Sequence, residues 1–103
     1  MPMTVRYQTR DGTLWVWLEG ELGHHEAIRL MGRLSALVED HLPAHMELEL
    51  SGLEFMDSSG IAVLLRAWRQ MGRVQGTMRV VNTPGQADRV FRAAGLQRII
   101  RFE

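Results

Sequence analysis

The sequence predicts an α/β domain in which a mixed, mostly parallel sheet is packed by helices, in the order ββαβαβαβ. Three observations lead there. A tight-turn dipeptide joins two strand-like runs at the start, three later segments carry apolar residues at spacings of three and four, and short β-rich runs separate those segments. Strands and helices alternating at this length imply a sheet that is parallel beyond its first hairpin, with helices packed against it.

The elements follow in order. TVRYQTR and TLWVWLEG flank Asp11-Gly12, a dipeptide that supplies the positive φ angles of a two-residue hairpin turn, so they read as paired antiparallel strands. From Glu26 to Leu42 the residues Ala27, Leu30, Met31, Leu34, Leu37, Val38 and Leu42 form the stripe of a core-facing helix, which Pro43 ends. MELEL, residues 46 to 50, alternates as a strand with one packed and one wetter face. Beyond the stretch DSSG, the residues Ile61, Leu64, Leu65, Trp68 and Met71 make one face of a second helix, and Arg66, Arg69, Gln70 and Arg73 the other. TMRVV is the next strand. Thr83-Pro84-Gly85-Gln86 reads as a helix start with a capping threonine, proline at the first helical position and glutamine completing a capping box. Ala87, Val90, Phe91 and Ala94 are the buried side of that helix, and Gly95 before Leu96 is a left-handed stop. IIRF closes the order as a last strand. There is no internal repeat, linker or low-complexity stretch.

Bulk properties bound the function. At 103 residues the chain is one ordinary domain, able to bury roughly two-thirds of the surface its unfolded form exposes. It contains no cysteine, which excludes a disulfide framework, thiolate catalysis and cysteine-type zinc sites. The start, MPMTVRYQ, lacks the regions of a signal peptide, and the longest apolar run, IAVLL, is too short to cross a bilayer. The expectation is a soluble cytoplasmic protein without membrane contact. Net charge is zero but unevenly laid out: ten acids against two arginines from Asp11 to Asp57, then eight arginines against Asp88 alone from Arg66 to Arg101. Interleaving of the segments is expected to cancel part of that division.

Several chemistries find no support. His24 and His25 are adjacent, so on a helix they point about 100° apart and cannot chelate one ion from the same face. His41 and His45 lie at a helix end and a loop, and no HExxH is present, so no metal is expected. The surroundings of Ser58 and Ser59 are not G-x-S-x-G, and no histidine follows Ser59. A chain without lysine cannot build a phosphate-binding P-loop. The neutral balance also argues against nucleic acid. The sequence therefore points away from an enzyme, and no cofactor is expected.

That leaves the corner itself, Asp57-Ser58-Ser59-Gly60, where a strand gives way to an amphipathic helix. From the residues alone two readings stand level. The polar residues cap the helix, or one serine is a site of modification. One capping residue would suffice, which leaves the second serine and Gly60 unexplained.

LELSGLEFMDSSGIAVLLRAWRQM resembles the signature of the STAS domain, and in particular that of the bacterial anti-sigma factor antagonists. GELGHHEA, residues 20 to 27, resembles the family's GELD-type corner into its first helix, and GLQRIIRFE resembles the end of the antagonists' core. The likeness runs from about Thr4 to Glu103 and is most specific from Leu53 to Met71, so the span 1–103 is expected to be a single STAS domain.

The resemblance implies a switch of partners. An unmodified antagonist binds an anti-sigma factor that is also a serine kinase and thereby frees a sigma factor. The kinase uses its own ATP to phosphorylate the first serine of the corner, here Ser58, whereupon the antagonist lets go, and a serine phosphatase restores it. Partner contacts are expected from Glu21, Gly23, His24, Asp57, Ser59, Gly60 and Ile61, with the chain acting as a monomer. A different role open to this domain type is that of an accessory module of a lipid or anion transport system, with no serine switch. Elementary physics makes the switch reasonable, because unpaired N–H groups and the positive dipole end of the helix are expected to receive a phosphoryl group at low folding cost. Three departures stand out. Gly23 replaces the usual aspartate of the first corner, with Glu26 still able to complete a capping box. Ala62 replaces a glycine common after the second corner. The chain ends at Arg101-Phe102-Glu103, where many relatives continue into a final helix, and is expected to be a short or trimmed member.

Overall fold

The computed structural model describes residues 3–103; Met1 and Pro2, which begin the stretch read against a signal peptide and the expected domain span, lie outside the described residues. Strands β1 (Thr4–Arg10) and β2 (Thr13–Leu22) form an antiparallel hairpin. Asp11 and Gly12 turn it with φ angles of 51° and 81°, the paired positive values that the dipeptide predicts. Helix α1 (His24–His41), β3 (His45–Met56), α2 (Ser59–Arg73), β4 (Thr77–Val81), α3 (Gly85–Ala93), a short 3₁₀ turn (Leu96–Arg98) and β5 (Arg101–Phe102) follow. The observed order is the one expected from the sequence.

The strands lie in the sheet in the order in which they occur in the chain, and β2, β3, β4 and β5 are parallel to their neighbours. Each helical crossover therefore steps in the same direction. Because the hand of such crossovers is fixed, all three helices fall on one face of the sheet. The core lies between the layers: Leu14, Val16 and Leu18 of β2, Met46, Leu48 and Leu50 of β3, and Val80 of β4 meet Leu30, Leu34, Val63, Leu64 and Phe91 from the helices.

The opposite face carries no helix, and its residues cover one another. Register places Trp15, Glu47, Arg79 and Arg101 in one row across four strands. The Arg79 guanidinium donates to both Glu47 and Glu103, and Arg101 donates to Glu103 at 3.1 Å. Glu49 accepts from the backbone N–H and the hydroxyl of Ser51 and from the amide of Asn82, all at 2.7 Å. The wetter face expected of MELEL is this one.

Where the structure departs from the expectation, packing explains the difference. β3 runs six residues beyond MELEL, to Met56. It stays against β2 through irregular register at Gly52, where a Cβ would stand 2.6 Å from the Glu19 side chain and 3.0 Å from the Leu18 carbonyl oxygen. α1 begins at His24, two residues before the expected start, and Leu42 is its left-handed cap, with φ 44°, exposed and not part of the stripe. On α2 the buried stripe is Gly60, Val63, Leu64, Ala67 and Met71. Glycine and alanine let the helix lie close to the sheet, while Ile61 and Leu65 are half-buried at its margin and Trp68 is 39% exposed. Ala94 caps α3 and is exposed, whereas Gly95 (φ 79°) and buried Leu96 form the expected stop. Only Arg101 and Phe102 of IIRF pair as a strand, because the 3₁₀ turn carries the chain as far as Ile99, and Ile100 is tied back to the Leu96 carbonyl at 2.9 Å.

The charge division is cancelled in part, as expected. Arg79 pairs with Glu47 of the acidic stretch, whereas Arg92 and Arg101 pair with Asp88 and Glu103, their near neighbours in the chain. Among the described residues Arg66, Arg69 and Arg73, on the outer face of α2, have none.

Two carboxylates on the open sheet face make stability dependent on acid. The Arg79 hydrogen bond, followed by that from Arg101, holds Glu103 below the ordinary carboxylate range. For Glu49 burial pushes the other way, but the hydrogen bonds from Asn82 and Ser51 together outweigh it and the net shift is downward. Both carboxyls are thus more acidic folded than unfolded. Their contribution is complete above the ordinary carboxylate range and is lost as pH falls through the lowered folded values. Denaturant titrations between neutral pH and the acid side of that range should show stability falling, with a shallower fall in Glu49→Gln and Glu103→Gln. Identical pH profiles in wild type and both variants would contradict this.

Candidate functional site

Because β2 and β3 are parallel neighbours, the corners that follow them emerge side by side at one end of the sheet. Leu22 pairs with Met56, and the Asp57 N–H donates to the Leu22 carbonyl at 3.1 Å. The two stretches that carry the resemblance, residues 20–27 and 53–60, are thereby brought together.

At the first corner Gly23 is extended and caps α1. The Glu26 carboxylate accepts its N–H at 3.2 Å, and its carbonyl accepts from Ala27 at 2.9 Å. The half of the capping box assigned to Glu26 is therefore present. A Cβ at Gly23 would sit 3.1 Å from a Glu26 carboxylate oxygen and 3.7 Å from Asp57 Oδ2. An aspartate here would put a third carboxylate beside two others. His24 and His25 are both exposed, their ring centroids 5.8 Å apart.

At the second corner the polar residues divide their tasks. Asp57 Oδ1 accepts the Ser59 N–H at 2.8 Å, and the Asp57 and Ser58 carbonyls accept from Gly60 and Ile61 at 3.2 and 3.1 Å. Asp57 is thus the residue that satisfies the helix start. Ser58 occupies the N-cap position with helical backbone angles and makes no capping bond through its side chain, which is exposed. The expectation that unpaired N–H groups receive a phosphoryl group needs correction here. The N–H groups of Ser59, Gly60 and Ile61 are already engaged, so a phosphoryl group would meet the field of the helix end and not these donors.

Gly60 is buried, and a Cβ added to it would meet the Met56 side chain, with Cγ at 2.7 Å. This glycine seats α2 on the end of β3 and so sets the path on which Ser58 stands proud. Of the expected contact residues, Glu21 and His24 are exposed, as is Ser58, the expected site of phosphorylation, and Gly23, Asp57, Ser59 and Ile61 are half-buried around them.

Three residues escaped the sequence reading. Phe55, in register with Glu21 and three positions before Ser58, is 48% exposed, and Ile28, one turn along α1 from His24, is 54% exposed. Neither shows as unusual in a period-based reading, since one is the penultimate residue of a strand and the other lies off the helix stripe. Gln86 is the third. It was expected to complete a capping box with Thr83, but α3 starts at Gly85 with Pro84 as its cap, and the buried Thr83 hydroxyl has no partner among the described residues. Instead the Gln86 amide spans to Met56, accepting its N–H at 2.9 Å and donating to its carbonyl at 2.7 Å. β4 pairs with β3 only as far as Glu49, so Gln86 stands in for the missing strand just before the corner.

Comparison with known proteins falls on this arrangement. A family model described as the STAS domain matches residues 4–103. The chain belongs to the STAS-domain family. Its curated relatives include an anti-sigma F factor antagonist from Paenibacillus polymyxa, 29% identical over 97% of this chain and 86% of the relative. Another, of the same description, comes from Lysinibacillus sphaericus and is 33% identical over 85% of this chain and 74% of the relative. Among solved structures, the antagonist SpoIIAA superposes in its unphosphorylated form with a TM-score of 0.84, at 24% identity, covering 97% of this chain and 88% of that one. The Bacillus cell fate determinant SpoIIAA in its phosphorylated form gives 0.76, again at 24% identity, over 97% and 91%. At that identity the superposition establishes the STAS fold.

No described helix is long and apolar enough to cross a membrane, and no group of metal-ligating side chains is found among the described residues.

The Gln86 clamp has a measurable consequence. Gln86→Ala leaves two strand-end backbone groups without a partner and should cost about 1–3 kcal/mol in denaturant unfolding. Amide exchange should quicken at Met56 much more than at Leu48 in the middle of β3. Equal protection of both amides in variant and wild type would mean that the clamp holds nothing.

Proposed function

We propose that this STAS domain is an anti-sigma factor antagonist whose binding is switched at Ser58. Unmodified, it docks through the paired corners on an anti-sigma factor that is also a serine kinase, and the sigma factor held there is released. Curated relatives described as anti-sigma F factor antagonists support the class of partner. One observation carries the reading to a residue: Ser58 is exposed and its side chain does no capping, because Asp57 has taken that task.

In the switching step Ser58 Oγ attacks the γ-phosphorus of the partner's ATP. The bond to the ADP oxygen breaks, and the hydroxyl proton passes to a base on the kinase. A phosphatase later hydrolyses the ester. The phosphorylated form of SpoIIAA is a precedent for an antagonist in that state. The domain itself supplies no catalytic group and acts as a monomer in the cytoplasm, where its partners control transcription.

The added group brings a charge of about −1.5 to −2. It stands beside Asp57, whose carboxylate already occupies the first free N–H of the helix. The helix end offsets this by only about 0.3–1 kcal/mol, so the new charge stays directed at solvent and at any docked surface. Glu21, Gly23, His24, Asp57, Ser59 and Ile61 frame that surface, Gly60 sets the backbone path beneath it, and Phe55 and Ile28 add apolar contact. An exposed serine freed from capping favours this switch over a role as a transport accessory module.

Incubation with the cognate anti-sigma factor kinase and ATP should place a single phosphate on Ser58, located by mass spectrometry of peptides. Ser58→Asp should bind that partner at least about tenfold more weakly, equivalent to about 1.4 kcal/mol, and Ser58→Ala should remain bound in the presence of ATP. Phosphate found on Ser59 alone, or undiminished binding by the Asp variant, would refute the assignment.

A further inference from the structure

Helix α2 leads away from the corner to a second feature, at the other end of the sheet. Beside β4 and β5 an open groove of about 950 Å³ runs between the last two turns of α2 and the segment that enters β5. Met71 and Met78 form its floor, both nearly buried. Trp68 and Ile99 flank it, 39% and 45% exposed. Arg69 and Arg73 stand on its rim, exposed and without an ion-pair partner among the described residues, while the other lining arginines, Arg79 and Arg101, are neutralised by Glu47 and Glu103.

We infer that this groove receives an acidic amphipathic helix of a partner protein. Charge complementarity gives the sign. Arg69 and Arg73 lie four residues apart on one helix, a spacing of about 6 Å. That spacing suits two carboxylates one turn apart on a facing helix. The floor gives the apolar half of the match, because unbranched methionines adapt to inserted side chains. Arginine and tryptophan are also the side chains that most often dominate binding energy at protein interfaces.

The architecture argues for a helix over an extended peptide. β5 has two residues, too short an edge to bind a strand through its backbone, so recognition must come from side chains. A nucleic acid fits less well. Affinity for a phosphate backbone grows with the number of phosphates neutralised, and only two lining arginines are free. The methionine floor offers a polyanion nothing.

This site is independent of the switch at Ser58. Its test uses the full chain, isotope-labelled for amide NMR, and a helical probe peptide of roughly 15 residues with leucines along one face and glutamates beside them. The control peptide carries lysine in place of every glutamate. The acidic probe should shift the amides of residues 68–73, of Ile99 and of β5, and bind about tenfold more tightly than the lysine control. The double variant Arg69→Glu/Arg73→Glu should lose about tenfold of that affinity. Both side chains are exposed and unpaired, so folding should persist. Arg69→Gln/Arg73→Gln, expected to give a smaller loss, separates missing attraction from added repulsion. Ser58→Asp should leave probe binding unchanged. Shifts elsewhere, or equal binding of the lysine peptide, would overturn the inference. So would tighter binding of single-stranded RNA or of phosphatidylglycerol vesicles at the same residues. Sedimentation showing self-association that the double variant abolishes would assign the groove to a second copy of the chain instead.

Discussion

The parallel pairing of β2 with β3 is the constraint on which the arrangement rests. Two adjacent strands running the same way must deliver their exits to the same end of the sheet. The residues that follow them, 23–28 and 57–61, therefore share a surface although some thirty positions separate them in the chain. The bond from the Asp57 N–H to the Leu22 carbonyl joins the two exits at the last step of the ladder. Beyond β4's reach, the Gln86 amide holds the other edge of β3. Held by hydrogen bonds on both sides, the strand end gives the corner it carries a defined path.

That path gives Ser58 its character. A helix start needs an acceptor for its first N–H groups, and an ordinary serine in the N-cap position would be drawn in to supply one. Here the preceding carboxylate does so, and the side chain of the exposed Ser58 makes no capping bond. Gly60 completes the geometry, since any side chain there would push α2 off Met56. Sequence reasoning left the second serine and the glycine unexplained. In the fold, Ser59 supplies the N–H that Asp57 binds, and the glycine permits the close contact beneath it.

Most of the fold was legible because it depends on local signals that packing does not override. The Asp11-Gly12 turn, the apolar spacing of α1, the Gly95 stop and the order of the elements fall in this class. What escaped depends on distant neighbours. Nothing local reveals that Ser51 to Met56 remain in a strand, because the irregular register that allows it is set by Glu19 and Gly20 on β2. Trp68 falls within a plausible apolar stripe, but the stripe that packs is chosen by the small residues Gly60 and Ala67. Gln86 obeys the rule for a capping box and is then claimed by Met56, thirty residues away. The candidate site was legible where it follows a motif, at Asp57 to Gly60, and hidden where it is assembled across elements, at Phe55, Ile28 and Gln86.

Helix α2 therefore joins two surfaces of opposite electrical character. From Ser58 to Arg73 it spans about 22 Å at the usual rise per residue. That is more than twice the screening length of roughly 8 Å at physiological ionic strength, so a charge gained at one end is scarcely felt at the other. Nor is there a mechanical route. The helix is fixed along its whole buried stripe by a close-packed core, which resists the small displacements that would carry a signal. Chemistry at the serine is thereby confined to the corner. On the proposed reading, a partner that touched only the corner would be released in full by a phosphate on Ser58, whereas one that also engaged the arginine end would keep that part of its binding energy.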